Sequence, residues 1–210
     1  LEAEGLADNT LVAFTSDNGG AGYVGLPESN RPFRGWKITM FEGGLRVPMF
    51  VKWPKNIPAG KTVNTPVAHI DVMPTLAAAA GAATPEGIDI DGKNILTLLD
   101  NETSWPRKTL FWQNGHYQVV RHEDWKLQVN DRPTDGLQTW LFNLKDDPTE
   151  QENLTNSHPQ IVKELSKLLA KHQENARPPL YSAVIDMPVM IDKTLNKKFE
   201  QGDEYVYTPN

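Results

Sequence analysis

Cysteine is absent from the 210 residues of this sequence. The chain can therefore form no disulfide, offer no thiolate to a metal ion and supply no cysteine nucleophile. The absence does not identify a cellular compartment, because many exported bacterial proteins also lack cysteine.

Long apolar runs and clusters of basic residues are also missing. The longest apolar stretch, TLAAAAGAA, is well short of the roughly 20 residues that cross a bilayer, and the mean hydropathy is −0.50. Lysine and arginine are spread along a chain whose net charge is −6. We therefore expect neither a membrane nor a nucleic acid to be a partner of this chain.

The composition that remains is globular, and its first half predicts an α/β fold. Hydrophobic residues make up 39% and charged residues 23% of the chain. The apolar run Leu11–Phe14 is typical of a strand buried on both faces of a parallel sheet, and a helix is predicted over residues 71–81. We assign residues 1–105 to the last part of a large mixed-sheet α/β domain. The opening stretch LEAEGLADNT resembles the end of a helix, so we expect the chain to be part of a longer protein.

The second half has a different pattern, which predicts a small α+β domain over residues 106–210. Short aromatic and β-branched runs separated by turns indicate an antiparallel meander. A long helix with one apolar stripe is predicted over residues 157–176, packed across that sheet. The last 31 residues, from Leu180, show no clear period and are predicted to form an extended tail on the surface.

The stretch TSDNGG places an acid and an amide, Asp17 and Asn18, directly after the first apolar run. One interpretation is an Asx turn, because Asp, Asn and Gly favour turns through local hydrogen bonds. The other is a pair of oxygen ligands for a hard cation such as Ca²⁺, held in a flexible glycine loop. The spacing by itself leaves both interpretations open.

A second polar stretch, RPFRGWKITMFEGGLRVP, covers residues 31–48. Its Lys37 is either a solvated surface charge or a cation that meets a ligand. Glu42 and Arg46 are spaced for a local ion pair, worth about 0–1 kcal/mol if exposed. The two glycines after Glu42 suggest a backbone that passes close to another part of the molecule.

Taken together, these stretches resemble the sulfatase family of the alkaline phosphatase superfamily. The resemblance covers roughly residues 1–175 and rests on six motifs in the family's order. They are DNTLVAFTSDNGG, RGWKITMFEGGLRVP, HIDVMPTLAAAAG, DGKNILTLL, WKLQV and LFNLKDDPTEQENL.

The resemblance implies roles for three residues. Asp17 and Asn18 match the later pair of calcium ligands in the family, and two further acidic ligands are expected from an N-terminal part. Lys37 matches the lysine that contacts the sulfate and the leaving oxygen. Such a cation suits the reaction, because negative charge develops on the bridging oxygen as the S–O bond breaks.

The nucleophile that the resemblance implies is not found in this sequence. The family uses a formylglycine made from Cys or Ser in a C-x-P-S-R type of motif, and neither Ser16 nor Ser29 lies in one. The resemblance implies that a sulfated small molecule or carbohydrate is the substrate of the parent protein. We expect this chain alone, without the N-terminal part that is its partner, to be inactive. The resemblance also implies a periplasmic or secreted parent protein.

Two histidines and two other functions complete the set of hypotheses. His69 is interpreted as a hydrogen-bonded anchor before a helix, and His116 as a possible substrate contact from the small domain. A phosphoester or phosphonate hydrolase of the same superfamily would share the sheet, but the amide of Asn18 suits one Ca²⁺ better than a two-zinc cluster. A carbohydrate-binding pseudoenzyme would not need Lys37 and the Asp17–Asn18 pair together.

Overall fold

A computed structural model of the chain describes residues 1–99, 102, 105–132, 136–174, 176–181 and 183–209. It divides into two compact units, of which the first joins Leu1–Thr15 to Met49–Arg107. The second joins Ser16–Pro48 to Lys108–Asn210. The predicted division at residue 105 thus differs from the observed units in one segment, residues 16–48, because this segment packs into the core of the second unit.

The first unit contains a two-stranded sheet and short helices. The elements are β1 (Val12–Thr15), β2 (Met49–Lys52), α2 (Val72–Ala79) and two 3-10 turns, His69–Asp71 and Ile95–Leu99. The buried Asp71 carboxylate accepts hydrogen bonds from Arg107 at 2.7 and 2.5 Å, which ties the end of this unit to α2.

Strand β1 does not match its predicted environment. It pairs with β2 in an antiparallel arrangement, with Phe14 opposite Phe50. These two side chains are 63% and 66% exposed, and their rings lie 6.2 Å apart. The prediction of a parallel strand buried on both faces is therefore wrong for the described residues. An apolar run expresses a tendency to be buried, but it fixes neither the direction of the partner strand nor what covers it.

A four-stranded antiparallel sheet and one long helix form the frame of the second unit, as predicted. The strands pair in chain order, β3-β4-β5-β6. Their bounds, with those of the helices, are β3 (Thr109–Asn114), β4 (Tyr117–His122), β5 (Trp125–Arg132), β6 (Gly136–Asn143), α1 (Glu42–Leu45) and α3 (Pro159–Gln173).

The two faces of this sheet pack against different partners. The predicted apolar stripe of α3 covers one face, and the buried side chains there are Val120, Leu127, Leu141, Leu165 and Leu169. The other face packs against residues 40–41 and the C-terminal residues. Its buried set is Met40, Phe41, Tyr117, Val119, Trp140, Phe142, Leu144, Val189, Ile191 and Val206.

The C-terminal residues form a hairpin instead of the predicted extended tail. Strands β7 (Asp186–Met190) and β8 (Tyr205–Pro209) pair antiparallel. Val189 and Val206 are buried in the core, which the absence of a clear period did not indicate. Pro188 interrupts the alternation of β7, and a proline inside a run argues against a strand at the sequence level. None of the described helices is long and apolar enough to cross a membrane.

Candidate active site

The loop after β1 presents Asp17 to solvent. The Ser16 hydroxyl donates to the carbonyl of Asn18 at 2.8 Å, which closes a tight turn. The Asn18 side chain donates a hydrogen bond that lowers the pKa of the Asp17 carboxyl, and the charge of Lys37 lowers it further. Asp17 is therefore an exposed, ionised carboxylate at neutral pH. The amide of Gly19, two residues after Asp17, donates to the Gly44 carbonyl, so the bonds at Asp17 are not those of an Asx turn. The ionised oxygen is what a cation ligand needs.

Asn30, a side chain that the sequence analysis did not single out, joins this loop to the Lys37 loop. Its Oδ1 accepts from the amide of Gly20 at 2.6 Å. Its Nδ2 donates to the carbonyls of Gly20 and Gly35, both at 2.9 Å. The amide of Lys37 also donates to the Gly20 carbonyl, at 3.0 Å. Residues 16–20 and 35–37 are thus one hydrogen-bonded assembly, which brings the three predicted site residues together.

The glycines of this assembly allow backbones to touch, as the sequence predicted. A Cβ at Gly19 would lie 1.7 Å from the carbonyl oxygen of Gly43, and one at Gly44 would lie 2.1 Å from that of Thr39. The amide of Gly19 donates to the Gly44 carbonyl at 3.0 Å. Helix α1 therefore lies directly against the Asp17–Asn18 loop, with no room for a side chain between them.

Lys37 is half-buried and is followed by an unusual backbone. Ile38 has a φ of +86°. A β-branched residue rarely adopts this left-handed conformation, which costs free energy and persists only where surrounding contacts enforce it. Lys37 is therefore held by a backbone whose conformation the neighbouring structure imposes.

A buried ion cluster lies at the other end of α1. Lys126 on β5 contacts Glu42 at 2.8 Å and Glu150 at 2.9 Å, and all three side chains are at most 6% exposed. Glu150 also accepts from the Glu42 amide at 2.5 Å. Arg46 is 4.0 Å from Glu42, so the local pair expected from the sequence is only the outer edge of this cluster. Lys126 and Glu150 were not predicted, because ion pairs between distant residues leave no local pattern.

The single positive charge of Lys126 cannot neutralise the carboxylates of both Glu42 and Glu150. Burial alone would raise the pKa of Glu42, but Lys126 lowers it. Burial raises the pKa of Glu150, and the charge of Glu42 raises it further, against the effect of Lys126. Within the cluster, the pKa of the Glu42 carboxyl is therefore lowered and that of the Glu150 carboxyl is raised.

The two histidines lie elsewhere. His69 is exposed at the start of a 3-10 turn of the first unit. His116 lies in the turn between β3 and β4, with its Nε2 3.7 Å from Oδ1 of Asp186. The role of His69 as an anchor and that of His116 as a substrate contact stay predictions.

The donors that this chain offers fit a hard cation in kind. Asp17 supplies an ionised carboxylate and Asn18 an amide oxygen, the ligands that Ca²⁺ accepts. Within the residues that the structure describes, no group of three or more His, Asp or Glu side chains could hold a metal ion. Two such donors are fewer than the roughly six to eight oxygens that Ca²⁺ takes.

Comparison with known proteins identifies relatives of this arrangement. A family model described as N-sulphoglucosamine sulphohydrolase, C-terminal, matches residues 34–175. A sulfatase of Formosa agariphila is 37% identical over 177 residues, which cover 81% of this chain and 31% of that protein. The steryl-sulfatase of Mus musculus is 40% identical over 129 residues, covering 58% of this chain and 21% of the relative.

Solved structures agree with these sequence relatives. The crystal structure of Ps i-CgsB in complex with k-i-k-neocarrahexaose superimposes with a TM-score of 0.74 at 32% identity. The superposition covers 86% of this chain and 40% of that chain.

Fold and relatives together define an α/β protein of the alkaline phosphatase-like type, with antiparallel sheets and a C-terminal helix. Within that class, the chain belongs to the sulfatase family and corresponds to its C-terminal portion. The predicted family and fold class are confirmed. The chain spans 31% and 21% of the length of the two sulfatases named above.

Proposed function

We propose that the protein to which this chain belongs hydrolyses sulfate esters, and that Asp17, Asn18 and Lys37 are this chain's part of its active site. The observation that carries the proposal is the Asn30 assembly, which joins the Asp17–Asn18 loop to the Lys37 loop. Membership of the sulfatase family supports it. On this proposal, the formylglycine nucleophile and the remaining calcium ligands lie outside this chain.

Each of the three residues has a distinct task on this proposal. The ammonium of Lys37 stabilises the negative charge that develops on the bridging oxygen as the S–O bond breaks. Asp17 and Asn18 offer a carboxylate and an amide oxygen to Ca²⁺, which when bound would withdraw charge from the sulfate. Because the pKa of Asp17 is lowered, this ligand is ready in its ionised form at neutral pH.

The names of the relatives indicate a broad substrate class. One relative is named a steryl-sulfatase, and one solved relative is bound to k-i-k-neocarrahexaose. We therefore propose a sulfated small molecule or carbohydrate as the substrate.

The test uses the full-length protein and two sulfate esters that differ in leaving group. If Lys37 meets the leaving oxygen, Lys37→Ala should lower kcat/KM by about 10²-fold or more for a sugar or alkyl sulfate. It should cost much less for nitrophenyl sulfate, whose leaving group is already stable without help. Lys55→Ala, which removes an exposed lysine from the first unit, is the control and should change neither rate.

Three results would speak against this assignment. Equal losses with both esters would mean that Lys37 holds only the non-bridging oxygens. No loss with either would make it a surface lysine. The third result is that the full-length protein hydrolyses a phosphonate or phosphate monoester faster than every sulfate ester tested. That result would favour the hypothesis of a phosphoester or phosphonate hydrolase instead.

A further inference from the structure

We propose that the C-terminal hairpin β7–β8 is a positioning element for the candidate active site, and that Asp192, Glu204 and Thr208 hold Lys37 in place through the backbone on either side of it. This inference rests on the proposed function of Lys37. It assigns these three residues no contact with the substrate.

The first connection is through Arg34, three residues before Lys37. Its guanidinium donates to both carboxylate oxygens of Asp192 at 2.7 Å and to Glu204 at 2.7 Å. A further bond joins it to the carbonyl of Glu150 at 2.9 Å. The Arg34 side chain is only 9% exposed, whereas the carboxylates of Asp192 and Glu204 are 52% and 50% exposed. The bonds are charge-assisted, and they hold a mostly buried guanidinium between two half-exposed acceptors.

The carboxylate of Glu204 is ionised in this setting. Burial alone would raise the pKa of Glu204, but hydrogen bonds from Arg34 and from the Trp140 indole lower it. Arg34 is therefore paired with an ionised Glu204 carboxylate as well as with Asp192, and both acceptors lie near the ends of the two hairpin strands.

The second connection is made by the backbone and by Thr208. The amide of Gly35 donates to the carbonyl of Ile191 at 3.2 Å. On the other side of Lys37, the buried hydroxyl of Thr208 donates to the carbonyl of Ile38 at 3.5 Å. The hairpin therefore contacts the chain both before and after Lys37.

The position of the Thr208 contact explains what it does. Ile38 is the residue with the left-handed backbone, which needs outside contacts to persist. Thr208 meets the carbonyl of that residue from the strand β8, whose Val206 is fixed in the core. The peptide that follows the site lysine thus has a long hydrogen bond, at 3.5 Å, to a strand that is anchored in the core.

The hairpin also reaches the loop beyond Asp17 and Asn18. The amide of Leu195, in the segment between β7 and β8, donates to the carbonyl of Gly22 at 3.1 Å. The side chain of Asn196 lies 3.4 Å from the position of a Cβ at Gly25. Both loops that carry predicted site residues therefore contact the C-terminal hairpin and the segment between its strands. That element lies beyond residues 34–175, the range that the family model matches.

The experiment compares matched variants of the full-length protein. Asp192→Asn with Glu204→Gln removes the two charges that hold Arg34, and Thr208→Val removes only the hydroxyl. Glu200→Gln is the control, because Glu200 lies in the same segment but pairs with Lys193. Each is measured for kcat and KM on a sugar sulfate, alone and combined with Lys37→Ala.

We expect the Asp192→Asn/Glu204→Gln pair to lower kcat about tenfold with little change in KM, since a misplacement of about 1 Å can cost up to 10²-fold. Thr208→Val should lower kcat several-fold. In the Lys37→Ala background both losses should shrink to less than twofold, because the group being positioned is gone. Losses that stay the same in that background would overturn the proposal, as would an equal loss in Glu200→Gln.

A second measurement separates this inference from the proposed function. Hydrogen exchange at the amides of Gly19 and Lys37 should be at least tenfold faster in the Asp192→Asn/Glu204→Gln variant, while the amides of β4 and β5 stay protected. If the wild-type protein hydrolyses no sulfate ester but this exchange pattern appears, the proposed function fails and the positioning role stands. If exchange at Gly19 and Lys37 is unchanged, the positioning role fails.

Discussion

Asn30 shows how much one side chain contributes to the candidate site. Its amide makes three hydrogen bonds to the backbone of two glycines, and the residue is only 9% exposed. An amide suits this place because it donates and accepts at once, without bringing a charge into the interior. Asn30 bridges the two loops that carry Asp17 and Lys37, beside the direct bond from the Lys37 amide to the Gly20 carbonyl.

We predict that Asn30→Ala lowers the free energy of unfolding by about 1–3 kcal/mol, because it removes the Asn30 partner of the Gly20 amide and of the buried Gly35 carbonyl. The Gly20 carbonyl keeps its bond from the Lys37 amide. Ser29→Ala is the control, since the Ser29 hydroxyl makes an exposed bond to the Leu26 carbonyl. That change should stay within about 0.5 kcal/mol. Urea unfolding of both variants measures the difference. Equal costs would show that the Asn30 bonds do not join the loops.

At the scale of elements, the buried cluster connects α1 to the sheet. Glu42 begins α1, Lys126 lies on β5, and Glu150 follows β6. Buried ion pairs carry a large desolvation cost, so such a cluster is better evidence of a fixed geometry than of added stability. Here the geometry that it fixes is that of the helix beneath the Asp17–Asn18 loop.

The cluster predicts a pH dependence with a definite sign. The pKa of Glu150 is raised above its ordinary value of 4.5, so the folded protein binds a proton there more tightly than the unfolded chain. The stability that this group contributes is full below pH 4.5 and is lost as the pH rises through the folded pKa. We expect Glu150→Gln to remove that loss, so the substitution should cost less at pH 8 than at pH 5.

Unfolding in urea at both pH values measures this cost, with Glu152→Gln as an exposed control that should show the same difference at each pH. A cost of Glu150→Gln that grows toward pH 8 would mean that Lys126 stabilises the Glu150 carboxylate more than burial and Glu42 destabilise it.

The elements that could be predicted from the sequence are those with a local period. Helix α3 shows its apolar stripe, and the meander shows short strands between turns, so both were found. Strand β7 was missed because Pro188 breaks its alternation, and the environment of β1 was wrong because an apolar run does not name its partner. The site residues Asp17, Asn18 and Lys37 came from short motifs.

The residues that support the site were not predictable in the same way. Asn30, Arg34 and Lys126 act through partners that are 5 to 170 positions away in the sequence. A single sequence without a structure gives no sign of which distant carboxylate an arginine or lysine will meet.

At the scale of the whole molecule, the chain is a part whose relatives are much longer. Its alignment with the Formosa sulfatase includes 81% of this chain but only 31% of that protein. On the proposed function, the active site is divided in the same way: this chain supplies Lys37 and two cation ligands, and the nucleophile with the other ligands comes from elsewhere in the protein. Calcium affinity is the property in which that division is most directly measurable.

We therefore predict that the 210-residue chain binds Ca²⁺ weakly, with a Kd in the millimolar range or above, because two donor side chains cannot replace about six to eight oxygens. The full-length protein should bind it far more tightly, and Asp17→Ala should abolish that gain, since it removes both a charge and a donor. Asp8→Ala, which removes an exposed carboxylate of the first unit, should change neither affinity. Titration calorimetry of the chain and of the full-length protein measures this. Micromolar binding by the chain alone, lost in Asp17→Ala, would mean that this chain completes the site with ligands other than those identified.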